Sequence, residues 1–118
     1  MKNKLPTQSV TRRNLPWGEI YVFLESEEFD VSVVVVHPHS QIDPYYHKQF
    51  QELICILEGE GEAVEGIVKA GDLFVLRSQR YFSLKNRTDK PLGFLRVGVP
   101  PYDFDDVVIV KVSRQEIA

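Results

Sequence analysis

The sequence is poor in the features that mark secreted and membrane proteins. Its 118 residues include a single cysteine, and no apolar run approaches the length of about 18 residues that a membrane helix needs. Because Cys55 has no partner for an internal disulfide, a reducing compartment suits the chain. The opening stretch MKNKLPTQSV has no apolar core of signal-peptide length. We therefore expect a cytoplasmic protein without a membrane partner.

An excess of positive charge is also missing. The 14 Lys and Arg residues are outnumbered by 17 Asp and Glu, for a net charge of −3. Nucleic-acid-binding domains usually carry a basic patch, so we expect no nucleic-acid partner. A chain of this length is suited to one hydrophobic core, and we predict a single domain over residues 1–118.

No segment has a sustained helical repeat, and short runs of Val, Ile, Leu and Phe stand in its place. Gly, Pro, Asn, Asp or Ser bound each run, as expected for strands joined by turns. The pattern predicts an all-β sandwich or barrel. Several runs are apolar at consecutive positions, as in DVSVVVVH, which indicates strands covered on both faces. A second copy of the chain is the simplest cover for the outer face, so we predict a homodimer.

The middle of the chain contains a motif that resembles the first motif of the cupin superfamily. In that family two histidines separated by one residue precede a glutamate and then a glycine. Here Tyr45 stands in the first histidine position, and His47, Glu52 and Gly59 fill the others. The resemblance extends over about residues 30–105.

The second cupin motif follows in the expected order. It fits without a gap from Gly71 to Asn86, although Arg77 replaces its proline, Gln79 its glycine and Phe82 its histidine. The resemblance implies a cupin jelly-roll β-barrel, also called a double-stranded β-helix. The N- and C-terminal strands would complete the barrel or a dimer.

The metal site of the family is degenerate in this sequence. In typical members three histidines and the glutamate hold a divalent metal. Here Phe82 offers no lone pair, and Tyr45 coordinates only after losing its proton. We therefore expect no cofactor. The alternative is a divalent Fe, Mn, Ni or Zn ion held by His47, Glu52 and Tyr45.

Without a metal, Tyr45, His47 and Glu52 are candidate catalytic residues for acid–base chemistry. Side chains two apart on a strand share a face, and general acid–base catalysis needs a group that titrates near neutrality. The arrangement resembles metal-free cupins that epimerise or isomerise nucleotide-linked sugars. We predict a metal-independent isomerase or epimerase acting on a sugar-derived or other small polar organic molecule.

Two alternatives stay open for the function. One is a non-catalytic ligand-binding or sensing protein, in which the same polar residues satisfy each other's hydrogen bonds. The other is a metal-dependent enzyme, such as a dioxygenase, with an unusual Tyr/His/Glu site. A common fold supports many chemistries, so the fold does not choose among them.

Phe82 and Arg96 complete the predicted ligand-binding set with Tyr45, His47 and Glu52. Arg96 lies between apolar neighbours in LGFLRVGV, where it either pairs with a glutamate, points out at a strand edge or clamps a ligand anion.

Four further polar residues are weaker candidates. The loop HPHSQIDP carries His37 and His39, which we expect on the surface because no carboxylate lies nearby at motif spacing. Arg77 and Arg80 are candidates for the pocket rim.

Overall fold

The computed structural model describes residues 10–48, 51–99 and 107–109, and the regular structure in these ranges is all strand. The side chains of His47, Val107 and Val108 lie outside the described part. The strands are β1 (Thr11–Leu15), β2 (Gly18–Glu25), β3 (Asp30–Val36), β4 (Ser40–Gln41), β5 (Tyr45–His47), β6 (Gln51–Glu58), β7 (Glu60–Ala63), β8 (Gly66–Lys69), β9 (Leu73–Leu76), β10 (Leu84–Asn86), β11 (Leu92–Val99) and β12 (Val107–Ile109). None of the described segments is a helix of the length and hydrophobicity needed to cross a membrane.

The strands form three antiparallel sheets. The largest has the order β1-β2-β3-β11-β6-β9, the second β4-β10-β7-β8, and the third pairs β12 with β5. Strand β11 lies between β3 and β6, far from both in sequence, so the chain crosses between sheets as a jelly roll requires. A single bridge between Tyr45 and Phe82 connects β5 to the segment before β10. The predicted all-β jelly roll is confirmed.

The hydrophobic core lies against the inner face of the six-stranded sheet. In β3 buried and half-buried residues alternate along the strand, because successive side chains point to opposite faces. Val34 and Val36 point inward, while the outer valines of β3 are only partly covered within one chain. Phe94, at 2% exposure, is the largest fully buried side chain, and burial of such a group contributes about 1.5–3 kcal/mol.

Two glycines fix the paths of neighbouring strands. Gly59, the glycine of the first motif, has a φ of 82° and separates β6 from β7. A Cβ there would come within 2.5 Å of the Pro91 carbonyl oxygen. A Cβ on Gly18 would collide with the carbonyl oxygen of Val35 on β3. Only glycine allows these backbones to approach so closely.

Candidate ligand-binding site

A cavity of about 670 Å³ opens between the inner face of the six-stranded sheet and the strands opposite it. Much of its wall is apolar and comes from Trp17, Ile20, Val22, Val34, Ile42 and Phe94. The volume is in the range of pockets that take small organic molecules. The cavity is therefore the candidate binding site.

One end of the cavity is polar because the inward positions of three central strands change there from apolar to polar residues. Strand β3 begins with Asp30 and Ser32, β6 has Glu52, and β11 has Arg96. All four are inward positions, and pairing across β11 sets Arg96 opposite Ser32 and Gly98 opposite both Asp30 and Glu52. The strand registers thus bring together four polar side chains that are distant in sequence.

Arg96 is the centre of this polar cluster. Its Nε donates to Glu52 Oε2 at 3.0 Å, and its Nη1 donates to Asp30 Oδ1 at 3.0 Å and to Ser32 Oγ at 3.4 Å. The Gly98 amide donates to the same Asp30 oxygen at 3.2 Å. The side chains of Arg96, Asp30 and Glu52 are 11%, 8% and 1% exposed. The guanidinium is therefore held by two buried carboxylates.

Burial by itself lowers the pKa of the Arg96 guanidinium, but attraction to Glu52 and Asp30 outweighs it and raises the pKa above its ordinary value. The arginine consequently stays charged throughout the working pH range. Gly98 makes room for this group, because a Cβ there would lie 2.8 Å from both Arg96 Nη2 and Asp30 Oδ1. The polar end thus contains a permanent buried cation and its two counterions.

Tyr45 connects the polar cluster to the cavity. Its hydroxyl donates to Glu52 at 3.0 Å from Oε1 and 3.2 Å from Oε2. Tyr45 and Arg96 both line the cavity wall. Glu52 is not among the described residues that line the cavity, and it is in contact with both Tyr45 and Arg96.

The structure brings three of the predicted site residues together. Tyr45, Glu52 and Arg96 are in direct contact, and Arg96 pairs with acidic side chains, one of the alternatives that its sequence position left open. The backbone of His47 ends β5 opposite Val107, but its predicted role depends on a side chain outside the described part.

Phe82, predicted to bind the ligand, lies instead in the core at 4% exposure. Its ring meets those of Tyr45 and Phe94 edge-on, with centroids 5.7 Å and 6.4 Å apart. Aromatic rings favour this edge-on packing. Phe82 is outside the lining of the large cavity but borders a separate, smaller groove.

Asp30 and Ser32 are functional candidates that the sequence analysis missed. A signal for them was present, because both occupy inward positions of a strand whose later inward positions are valines. A buried acid and hydroxyl at such positions need polar partners, which predicts a polar site. Trp17, which also lines the cavity, showed no comparable signal in the sequence.

Among the described side chains at the family's metal-ligand positions, two suit a divalent ion poorly. Phe82 supplies no lone pair, while Glu52 accepts hydrogen bonds from both Tyr45 and Arg96. An ion bound to Glu52 would also meet the positive charge of the guanidinium at short range. Over residues 10–48, 51–99 and 107–109 no three His, Cys, Asp or Glu side chains form a group that could hold a metal.

The remaining candidates lie away from the cavity. His37 Nε2 is 3.0 Å from Glu19, and His39 Nε2 is 2.6 Å from Asp89, in both cases at the surface as expected. Arg77 is exposed. Arg80 forms a 2.6 Å pair with Glu65 and borders a separate groove of about 270 Å³. The Arg80 pair is largely exposed and adds little to stability.

Solved structures with similar folds include proteins of different activities. An uncharacterised double-stranded β-helix protein from Klebsiella pneumoniae is 23% identical, with a TM-score of 0.73 over 86% of this chain and 90% of that one. The polyketide cyclase RemF from Streptomyces resistomycificus is 16% identical, with a TM-score of 0.76 over 97% and 89% of the two chains. The nucleoside dehydratase Pac13 from Streptomyces is also 16% identical, with a TM-score of 0.74 over 98% of both chains.

At these identities the likenesses establish the fold and leave the substrate open. Comparison with curated proteins gave no match. The family model described as a cupin domain matches residues 32–98, inside the region of about 30–105 that the two motifs predicted. That match spans more than half of the sequence and includes Ser32, Glu52, Phe82 and Arg96, so the chain belongs to the cupin domain family.

Proposed function

We propose that the chain binds a small polar organic molecule in its cavity and catalyses metal-independent proton transfer on it, as an isomerase or epimerase does. Tyr45 is the proposed group that contacts the substrate. The observation that carries the proposal is the pair of hydrogen bonds from the Tyr45 hydroxyl to the buried Glu52 carboxylate, at a wall of the cavity.

The geometry supports a two-step proton relay. The Tyr45 oxygen has lone pairs that can accept a proton from the substrate while its own proton passes to Glu52. The reverse transfer returns a proton to another position or to the other face of the substrate, and both side chains regain their starting states. No proton is gained or lost over one cycle, which suits isomerisation or epimerisation. Arg96 orients the Glu52 carboxylate throughout.

His47 is the second proposed acid–base group. Among the side-chain types of the predicted site residues, only imidazole ordinarily has a pKa near neutrality. Metal independence is supported by the poor fit of Phe82 and Glu52 to a divalent ion. The proteins named as a polyketide cyclase and a nucleoside dehydratase indicate that this scaffold accommodates enzymes.

A non-catalytic binding or sensing role is the second candidate. It is favoured by the ion pairs of Arg96 with Glu52 and Asp30, since both carboxylates are already engaged by a fixed cation. In that case the cluster would shape the pocket and take no part in proton transfer.

Hydrogen–deuterium exchange separates the two candidates. We expect free keto sugars incubated with the protein in D₂O to lose the NMR signals of the protons next to the carbonyl group. Exchange should survive EDTA and be lost in Tyr45→Phe. Binding without exchange for every sugar tested would support the non-catalytic candidate. Exchange that needs added iron or manganese would contradict metal independence.

A second copy of the chain is the proposed cover for the outer face of the six-stranded sheet. On β6 and β9 this face carries four exposed aliphatic side chains, Leu53, Leu57, Leu73 and Val75. Pairing sets Leu53 beside Val75 and Cys55 beside Leu73, so the apolar surface is continuous across the two strands. Exposed patches of this kind commonly mark interfaces.

A further inference from the structure

Acidic groups dominate the surface of the cavity. Among the described residues, two arginines line it, Arg13 and Arg96, against the four carboxylates of Glu25, Glu27, Asp30 and Asp43. Glu52 adds a fifth carboxylate directly behind Arg96. We infer that the cavity selects a cationic amine over a neutral molecule and a neutral molecule over an anion, with a flat apolar group on the same ligand. This inference rests on the proposed binding function.

Arg96 does not act as an anion clamp, because its charge is already matched. Two buried carboxylates accept hydrogen bonds from its Nε and Nη1, each at 3.0 Å. Among the described side chains of this buried cluster, one guanidinium is thus set against two carboxylates. A ligand anion would have to share the guanidinium with these counterions, and removing either of them from its buried partner is costly.

Hydrogen bonding favours the same choice. The Tyr45 proton is directed to Glu52, so the Tyr45 oxygen meets a ligand as an acceptor. The carboxylate of Asp30 also lines the wall and is an acceptor. A ligand that donates hydrogen bonds, as an ammonium or amine group does, suits both acceptors.

The apolar wall suits a flat organic group next to that donor. Trp17 and Phe94 lie on the wall together with aliphatic side chains from β2 and β3. Aromatic faces stack on flat groups and also attract cations, most strongly at tryptophan. The exposed Glu25, Glu27 and Asp43 add a longer-range attraction for positive charge that salt screens.

Three probes that share a phenyl ring but differ in charge test the inference. The probes are 2-phenylethylamine, 2-phenylethanol and phenylacetate, which are a cation, a neutral molecule and an anion at pH 7. Trp17 is the single tryptophan of the chain and lines the cavity, so its fluorescence reports binding. We expect the amine to bind about tenfold or more tightly than phenylacetate, with the alcohol between them. The difference should shrink at about 0.5 M salt.

Two triple variants separate local charge from overall charge. Glu25→Gln/Glu27→Gln/Asp43→Asn removes three exposed carboxylates from the cavity lining and should reduce the ratio of amine to phenylacetate affinity several-fold. The matched control Glu58→Gln/Glu60→Gln/Asp89→Asn makes the same change in net charge at exposed positions outside the lining. It should leave the ratio unchanged.

Each outcome has a distinct meaning. Phenylacetate binding as tightly as the amine, or an equal loss in both triple variants, would overturn the charge selection while the proposed binding function stands. If none of the three probes changes Trp17 fluorescence or the melting temperature, the cavity does not bind flat organic molecules. The inference then fails, whereas the proposed function is decided separately by the deuterium-exchange experiment.

Discussion

The strands β3, β6 and β11 line two chemically different ends of one interior. At one end their inward positions are apolar, with Val34, Ile54 and Phe94 almost fully buried. Two residues along each strand, the inward positions become Ser32, Glu52 and Arg96. The backbone pairing is the same at both ends, so the difference lies in the side chains. One end of the sheet forms a hydrophobic core. The other forms a charged site whose stability depends on a partner for each buried charge.

The largest expected effect comes from breaking the charged end. Arg96→Met should destabilise the fold by about 3–5 kcal/mol, because Glu52 and Asp30 would stay buried without their cation. The measurement is the urea-unfolding free energy at pH 7. The exposed pair of Arg87 with Glu62 is the control, and Arg87→Met should cost less than about 1 kcal/mol. Equal losses in the two variants would show that the buried pairing has no special importance.

The apolar end should respond by a different mechanism. Ile54→Ala removes buried methyl groups from a side chain that is 0% exposed and should cost about 2–5 kcal/mol through the cavity left behind. This loss should be the same at pH 7 and pH 4, because the substitution changes no charge. Unfolding curves at the two pH values test that expectation. A loss that falls strongly with pH would mean that the two ends of the interior are coupled.

Tyr45 tests the charged end in a second way, because it takes part there through hydrogen bonds and not through an ion pair. Tyr45→Phe removes the hydrogen bonds to Glu52 but leaves the Arg96 pair, so it should cost about 1.5–3 kcal/mol. Tyr21→Phe is the control, since the Tyr21 hydroxyl donates to Glu19 at 2.7 Å in a less buried setting. The Tyr45 variant should lose proton transfer, whereas the Tyr21 variant should keep it. Equal activity in the two variants would rule out the proposed relay.

The sequence contained much of the fold and part of the site. Short apolar runs bounded by turn residues predicted an all-β sandwich or barrel, and the two motifs predicted the jelly roll. The partners of Arg96 were not predictable to the same degree. Asp30 lies 66 residues before it, and Glu52 44 residues before it. Their contact depends on the registers of two strand pairs that no local pattern encodes.

Some local predictions also differed from the structure. The apolar run YFSLKN has the pattern of one strand, but β10 begins only at Leu84, and Phe82 forms a single bridge to Tyr45. The predicted loop HPHSQIDP contains the short strand β4 at Ser40–Gln41, which pairs with β10. Both are short pairings between distant segments, which sequence periodicity does not reveal.

The smallest expected effect on the stability of one chain is on the outer face of the same sheet. Leu73 on β9 and Ile67 on β8 are both 62% exposed, so Leu73→Gln and Ile67→Gln should each change the unfolding free energy of one chain by less than about 0.5 kcal/mol. Their effects on assembly should differ, because Leu73 lies on the continuous apolar face of the six-stranded sheet and Ile67 on the four-stranded sheet. Sedimentation at micromolar concentration should show a dimer for the parent protein and Ile67→Gln and a weakened dimer for Leu73→Gln. A stable monomeric parent would remove the proposed homodimer, and weakening by Ile67→Gln alone would move the interface to the other sheet.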